Sequence, residues 1–69
     1  MKLSARNQLA GTVVAINKGE AIANVQLDIA GQRLIASITV EAVEDLGLEP
    51  GGEIVAVIKA SDVMVATRD

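Results

Sequence analysis

The sequence predicts an all-β domain in which five short strands, with one short helix between the third and fourth, close into a small barrel. Glycines and the single proline divide the chain into short apolar segments. The segment Ala21 to Ile29 alternates in its apolar positions with period two, as a half-buried strand does. The segment after Ile38 breaks this alternation and carries helix start and stop signals. A length of 69 residues allows one domain, residues 1–69.

The first three strands are predicted from closely spaced apolar runs. The first runs from about Gln8 to Ile16 and is followed by Asn17-Lys18-Gly19. The second places one face toward the core, with members Ala21, Ala23, Val25, Leu27 and Ile29. Ala30-Gly31 forms a turn, and the third strand runs from Gln32 to Ile38 or Val40, with a core face of Leu34, Ala36, Ile38 and Val40. Two alternating runs this close predict an antiparallel hairpin.

A two-turn helix is predicted after the third strand. Thr39 has the hydroxyl that an N-cap needs, and Glu41 then lies near the positive end of the helix dipole. Val43 and Leu46 are three residues apart and are expected to share a buried face. Gly47 fits the left-handed residue that ends a helix, with Leu48 making the accompanying apolar contact.

The last two strands follow a Pro-Gly turn. Glu49-Pro50-Gly51-Gly52 suits a type II turn, with proline and glycine at its two central positions. Strands are predicted over Glu53 to Lys59 and Val63 to Ala66, separated by Ala60-Ser61-Asp62. This order is that of the OB fold, a Greek-key barrel, which we favour over an open sheet because closure removes exposed strand edges.

Composition excludes several functions. The chain has no cysteine and no histidine, which removes disulfides, Cys/His zinc sites and Ser-His or Cys-His nucleophilic chemistry. It has no aromatic residue and a net charge of -3, which disfavour nucleic-acid binding. No apolar run approaches the ~20 residues of a transmembrane helix, and the N-terminal residues do not resemble a secretory signal. We therefore expect a cytoplasmic binding protein that is not an enzyme and has no membrane or nucleic-acid partner.

Two strands are apolar on both faces. In the fourth, Ile54, Ala56 and Ile58 oppose Val55 and Val57, and the first shows the same property. A barrel has one interior, so either the second face is covered by another subunit or these are scattered surface hydrophobics. Because a chain this short has no disulfide or zinc site to stabilise it, we favour oligomerisation.

Two polar segments combine a cation, a hydroxyl and small residues: Ser4-Ala5-Arg6-Asn7-Gln8 and Lys59-Ala60-Ser61-Asp62. Backbone N–H groups, serine hydroxyls and a nearby cation together suit a small oxyanion. The alternative is a frayed N-terminus and a surface bulge. The carboxylates Glu41, Glu44 and Asp45 are better explained as a solvated helix start than as a calcium or hydrolase site, and no free metal cation is expected.

At these two segments the sequence resembles the molbindins, molybdate-binding members of the wider TOBE family. The resemblance runs from about Leu3 to Ala66 and rests on the opening Ser4-Ala5-Arg6-Asn7-Gln8-Leu9 and on Val57-Ile58-Lys59-Ala60-Ser61-Asp62-Val63-Met64. Val43-Glu44-Asp45-Leu46-Gly47-Leu48 and Pro50-Gly51 also agree.

The resemblance implies an OB-type barrel assembled as a hexamer, a trimer of dimers, with molybdate or tungstate bound at subunit interfaces and no organic cofactor. It implies that Ser4, Ala5 and Arg6 line one wall of a site, and that Lys59, Ala60 and Ser61 of a neighbouring subunit line the other. A second type of site, near a threefold axis, corresponds to the turn containing Lys18, Gly19, Glu20 and Ala21, although Glu20 departs from what an anion site favours.

The function that follows is storage and homeostasis of molybdate. The alternative is a molybdate-responsive regulatory module acting on a separate transporter or transcription factor, as TOBE domains also occur fused to such proteins. A purely structural oligomer is a further alternative, and it would show no response to the anion.

Overall fold

The computed structural model describes residues 2–68, and its main element is one antiparallel sheet of four strands. The order in the sheet is β3-β2-β1-β4, with bounds β1 Asn7–Lys18, β2 Ile22–Ile29, β3 Gln32–Thr39 and β4 Glu53–Ile58. Helix α1 (Val40–Leu46) joins β3 to β4, and a 3-10 turn (Ala60–Asp62) follows β4. The predicted all-β class, with a short helix between the third and fourth strands, is confirmed.

Strand β1 is shared between two partners. Residues 7–12 pair with β4, and residues 12–18 pair with β2. The register with β2 shifts between Val13 and Ala15. Such a bulge bends a strand and increases its twist, so the shared strand turns the β4 side of the sheet relative to the β2 side.

The core lies against the inner face of β2. Ala23, Val25 and Leu27 are 0%, 1% and 5% exposed, and Val13 and Val43 complete the buried cluster. The predicted inner residues of β3 and β4 pack against this cluster: Leu34, Ala36, Ile38, Ile54 and Ala56. The alternation in the second and third strands therefore predicted the buried face correctly.

Helix α1 begins and ends as the sequence predicts. The Thr39 hydroxyl accepts a hydrogen bond from the backbone N–H of Ala42 at 3.0 Å. Gly47 adopts a left-handed conformation with φ 64°, and the N–H of Leu48 donates to the Val43 carbonyl at 3.0 Å. The expectation that Leu46 shares the buried face of Val43 is wrong, because Leu46 is 69% exposed. It lies in the last turn of the seven-residue helix.

The predicted type II turn is present and anchored. Gly51 has φ 88°, and the N–H of Gly52 donates to the Glu49 carbonyl at 2.9 Å. Val13 makes two backbone hydrogen bonds to this turn, accepting from Gly51 at 2.8 Å and donating to Gly52 at 2.9 Å. The start of β4 is thereby attached to the middle of β1.

The predicted fifth strand is not formed. Residues 63–68 follow the 3-10 turn without joining the sheet, and Val63, Met64 and Val65 are 49%, 94% and 89% exposed. We call residues 63–68 the C-terminal tail. The prediction of five strands closing a barrel therefore fails for the single chain over residues 2–68, because the two outer strands, β3 and β4, are not paired with each other.

Strands β3 and β4, which are not paired with each other, nevertheless line a common groove. This β3–β4 groove is bounded by residues 34–38 on one side and residues 54–58 on the other, with Val25, Leu27, Leu46, Leu48 and Asp62 completing its lining. The sheet therefore curls far enough to bring its two outer strands around one apolar space. No helix within residues 2–68 is long and apolar enough to cross a bilayer.

Candidate functional site

The two polar segments singled out in the sequence meet at one end of the sheet. Strands β1 and β4 are antiparallel, and their register pairs Asn7 with Ile58. Residues 4–6 directly precede this pair, and residues 59–61 directly follow it. The register therefore brings one copy of each proposed wall to the same end of β1 and β4 within a single chain, whereas the resemblance implied walls from neighbouring subunits.

Side-chain amides tie both segments to the backbone. Asn7 is half-buried, and its Nδ2 donates to the carbonyl oxygen of Ile58 at 3.2 Å. Gln8 donates from Nε2 to the carbonyl oxygen of Ala5 at 3.4 Å. In the sequence, Asn7 and Gln8 stand out only as parts of a motif. Their position at the predicted start of a strand, beside the candidate donors, was the signal that could have indicated this anchoring.

The second segment leaves β4 through the 3-10 turn. The N–H groups of Asp62 and Val63 donate to the carbonyls of Lys59 and Ala60 at 2.9 and 3.3 Å. These bonds use the N–H groups of Asp62 and Val63 and leave those of Ala60 and Ser61 outside the turn's own bonding. First-turn N–H groups of this kind need an external acceptor, such as water or an anion.

The side chains of the two segments supply positive charge and hydroxyl donors. Arg6 and Lys59 contribute two cations, and Ser4 and Ser61 contribute two hydroxyls; all four residues are exposed, as is Ala60, whereas Ala5 is half-buried. An anion bound here would therefore face solvent on one side. Asp62 contributes the carboxylate next to this set, and it also lines the β3–β4 groove.

The second candidate site lies at the opposite end of β1. Lys18 ends the strand, and Lys18, Gly19, Glu20 and Ala21 are all exposed. The N–H of Gly19 donates to the Ile22 carbonyl at 2.8 Å, and the Ala21 carbonyl accepts from Val40 at 2.8 Å. The turn thus uses the N–H of Gly19 internally, which leaves the Lys18 ammonium as its cationic donor. The 12 residues of β1 lie between the two candidate sites.

The carboxylates of the helix do not form a metal centre. Glu41, Glu44 and Asp45 are exposed on α1. Across residues 2–68, no three or more His, Cys, Asp and Glu side chains are grouped so that they could hold a metal ion.

Comparisons with known proteins identify relatives of this chain. The TOBE domain model matches residues 3–65. The molybdenum-pterin-binding protein 3 of Clostridium pasteurianum is 52% identical over 66 residues, which are 94% of this chain and 97% of that protein.

Two solved structures are also similar. A molybdate-binding protein from Sporomusa ovata superposes with a TM-score of 0.93 at 42% identity, covering 97% of this chain and all of that one. The cytoplasmic molybdate-binding protein ModG, solved with molybdate bound, gives a TM-score of 0.88 at 48% identity over 93% of this chain and 46% of that one.

Proposed function

This chain is a member of the TOBE domain family, and from that premise we propose that it binds molybdate, and tungstate as its close analogue, for cytoplasmic oxyanion storage and homeostasis. The observation that carries the proposal is the convergence of residues 4–6 and residues 59–61 on the paired residues Asn7 and Ile58. Both segments offer donors and positive charge at one end of the sheet.

The donor set fits the chemistry of the ligand. Molybdate is a tetrahedral dianion whose oxygens accept hydrogen bonds and carry no proton at neutral pH, so its site should contain donors. The hydroxyls of Ser4 and Ser61 and the N–H groups of Ala60 and Ser61 are such donors. Arg6 and Lys59 balance the two negative charges. Sulfate is smaller, and a cavity sized for molybdate leaves donors unpaired around it at a cost of about 1–3 kcal/mol each.

We propose that the working form is a homo-oligomer, a hexamer built as a trimer of dimers. The chain has an accessible surface of 5544 Å², whereas a compact 7.1 kDa protein exposes about 4,100 Å². Its radius of gyration is 12.9 Å, against about 11 Å for a compact domain of this length. The excess surface is apolar in part, since Val55, Val57, Met64 and Val65 are exposed.

Assembly accounts for the missing fifth strand. The C-terminal tail exposes three consecutive apolar residues, and the β3–β4 groove presents apolar side chains and two unpaired strand edges. Exposed edges and apolar segments of this kind are normally covered. We propose that the tail of one subunit pairs in the groove of another, which closes a five-stranded barrel and gives the exposed oxyanion segments a second surface at the subunit interface.

We further propose that the protein is not an enzyme and needs no organic cofactor. The names of its relatives mention pterin, but this sequence has no aromatic residue on which a pterin ring could stack. The turn formed by residues 18–21 is proposed as a second oxyanion site, with Lys18 as its cation. The alternative function, a regulatory module acting on a separate transporter or transcription factor, would require a stable complex with that partner.

Native mass spectrometry with and without molybdate tests the proposal directly. We expect hexamers that gain the mass of bound oxyanions, with tungstate replacing molybdate. A ligand at about 100 times its Kd stabilises the native state by ~2.7 kcal/mol, which raises Tm by roughly 10–20 °C for a domain of this size. Equal stabilisation by the same concentration of sulfate would contradict the proposal.

Substitutions locate the site. Removing a hydrogen bond to a charged group costs about 1.5–3 kcal/mol, so Lys59→Ala and Ser61→Ala should each weaken molybdate binding roughly 10- to 100-fold. Arg33→Ala, which removes an exposed cation of β3 outside the β3–β4 groove, is the matched control and should bind normally. Normal binding by both Lys59→Ala and Ser61→Ala would exclude this segment from the site. A partner protein that co-purifies stoichiometrically from cell extract would favour the regulatory alternative.

A further inference from the structure

We infer that Asn7 is a positioning and selectivity residue of the oxyanion site, because its side-chain amide donates a hydrogen bond to the carbonyl oxygen next to the proposed donors. The inference rests on the proposed function and adds a residue to it. Asn7 is half-buried at the first position of β1, and its Nδ2 atom lies 3.2 Å from the Ile58 carbonyl oxygen. This bond joins residues 51 positions apart in sequence.

The bonded carbonyl belongs to the peptide unit that leads into Lys59. A carbonyl oxygen accepts and never donates, so the Asn7 atom facing it is the NH₂ nitrogen. The amide therefore sets the position of the backbone immediately before residues 59–61. Gln8 makes the equivalent bond to the Ala5 carbonyl at 3.4 Å, within residues 4–6. Each proposed wall is thus held through a carbonyl group within it or directly beside it.

These bonds have a consequence for charge as well as for position. A carbonyl lone pair near a fully deprotonated dianion repels it, since neither group has a hydrogen to share. A carbonyl that already accepts a hydrogen bond from an amide has one of its two lone pairs directed to that donor, and the donor's hydrogen offsets part of the oxygen's negative charge. The amides of Asn7 and Gln8 therefore reduce the repulsion between these two carbonyls and an anion, so that the donors of the two segments determine binding.

The same reasoning predicts an effect on selectivity. Phosphate at about pH 7 carries a proton and can donate one hydrogen bond, whereas molybdate and sulfate cannot. A carbonyl released by loss of the Asn7 amide would repel molybdate but would accept the phosphate O–H. A purely structural role for Asn7 predicts a different result, because a loosened site should lose affinity for both anions by similar factors.

The test compares Asn7→Leu and Gln8→Met, which keep the approximate shape and remove the amide, with matched controls. Asn24→Leu on β2 and Gln32→Met on β3 make the same changes at exposed positions. Calorimetric titrations with sodium molybdate and with sodium phosphate give both affinities. We expect Asn7→Leu to lose at least tenfold in molybdate affinity, with the molybdate-to-phosphate ratio falling at least fivefold. Gln8→Met should change in the same direction by a smaller factor, because its bond is longer and exposed.

The outcomes for the unmodified protein test the proposed function, and those for Asn7→Leu test the role of Asn7. If the unmodified protein fails to bind molybdate, the proposed function is wrong. If it binds but Asn7→Leu loses both anions equally, or neither, the role assigned to Asn7 is overturned. Asn7→Ser is the second variant, since it keeps a polar side chain at the strand start but is too short to reach the carbonyl, and the same fall in ratio is expected for it.

Discussion

No side chain fits between Gly11 of β1 and the carbonyl oxygen of Asp28 in β2. A β-carbon at Gly11 would overlap that oxygen and the Cδ1 atom of Ile29. Because the blocking group is backbone of a paired strand, Gly11→Ala must displace β2 or β1. Overpacking of this kind costs about 1–3 kcal/mol, which lowers Tm by roughly 5–20 °C. Thermal unfolding followed by far-UV circular dichroism measures the change. Ala10→Ser, at the adjacent exposed position, should stay within ~0.5 kcal/mol of the unmodified protein.

The N-cap of α1 should contribute measurably to stability. The Thr39 hydroxyl is the acceptor for the Ala42 N–H at 3.0 Å. Replacing a capping Thr with Ala costs about 1 kcal/mol, so Thr39→Ala should lower Tm by roughly 4–8 °C. Thr39→Ser keeps the hydroxyl and should retain most of the stability. A serine variant as unstable as the alanine variant would mean that the methyl group, rather than the cap, is responsible.

The hairpin turn between β2 and β3 contains a residue whose replacement should raise the stability of the protein. Ala30 has φ 51° and Gly31 has φ 85°, the two positive values that a type I′ turn requires. A non-glycine residue in this region is strained, and asparagine tolerates it best. Ala30→Asn should raise the free energy of unfolding by roughly 0.5–1 kcal/mol, measured by urea denaturation. Ala30→Val should lower it, because a branched side chain disfavours positive φ.

The apolar C-terminal tail should control assembly. Met64 is 94% exposed in the single chain, and we propose that its segment is buried between subunits. Burying an unpaired carboxylate is strongly unfavourable, so Met64→Glu should shift the native mass spectrum from oligomer to monomer while far-UV circular dichroism still reports strands. Gln32→Glu adds the same charge at an exposed residue of β3 and should leave the oligomer intact. Assembly of Met64→Glu at the unmodified level would exclude the tail from the interface.

Molybdate affinity should vary little between about pH 6 and pH 8. The sequence contains no histidine or cysteine, the side chains that most often titrate in this range. The proposed donors are hydroxyl, backbone N–H, ammonium and guanidinium groups, and none of them is an imidazole or a thiol. Titration calorimetry at several pH values should give dissociation constants within about threefold of one another. A steep loss of affinity would point to a titrating group outside residues 4–6 and 59–61.

Local signals explain which parts of the fold were predicted well. The two faces of β2 follow from alternation alone, since successive side chains of a strand point to opposite sides. The bounds of α1 follow from Thr39 and Gly47, whose backbone preferences act over one turn. Leu46 was predicted wrongly because the three-residue spacing gives a shared helix face but not the extent of the surface that covers it.

In the candidate site, too, some features follow from local residue types and others from contacts between distant residues. Residue types alone identify the two donor segments, because hydroxyl, cation and small residues together suit an anion. The pairing of Asn7 with Ile58, which joins the segments, depends on contacts between distant residues. The hydrogen bond from Asn7 to Ile58 depends on that pairing, whereas the bond from Gln8 to Ala5 spans only three residues.

Residue pattern and composition were enough to establish the class of the domain, the order of its first four strands and helix, and the buried face of β2 and β3. Three features emerged from the folded chain alone: β1 is shared between β2 and β4, both donor segments leave the sheet at one end, and residues 63–65 remain outside the sheet. The physical reason is the distance along the chain over which each effect acts. Propensity, alternation and capping act within a few residues, whereas register and strand closure depend on which distant segments can bury each other's apolar surface.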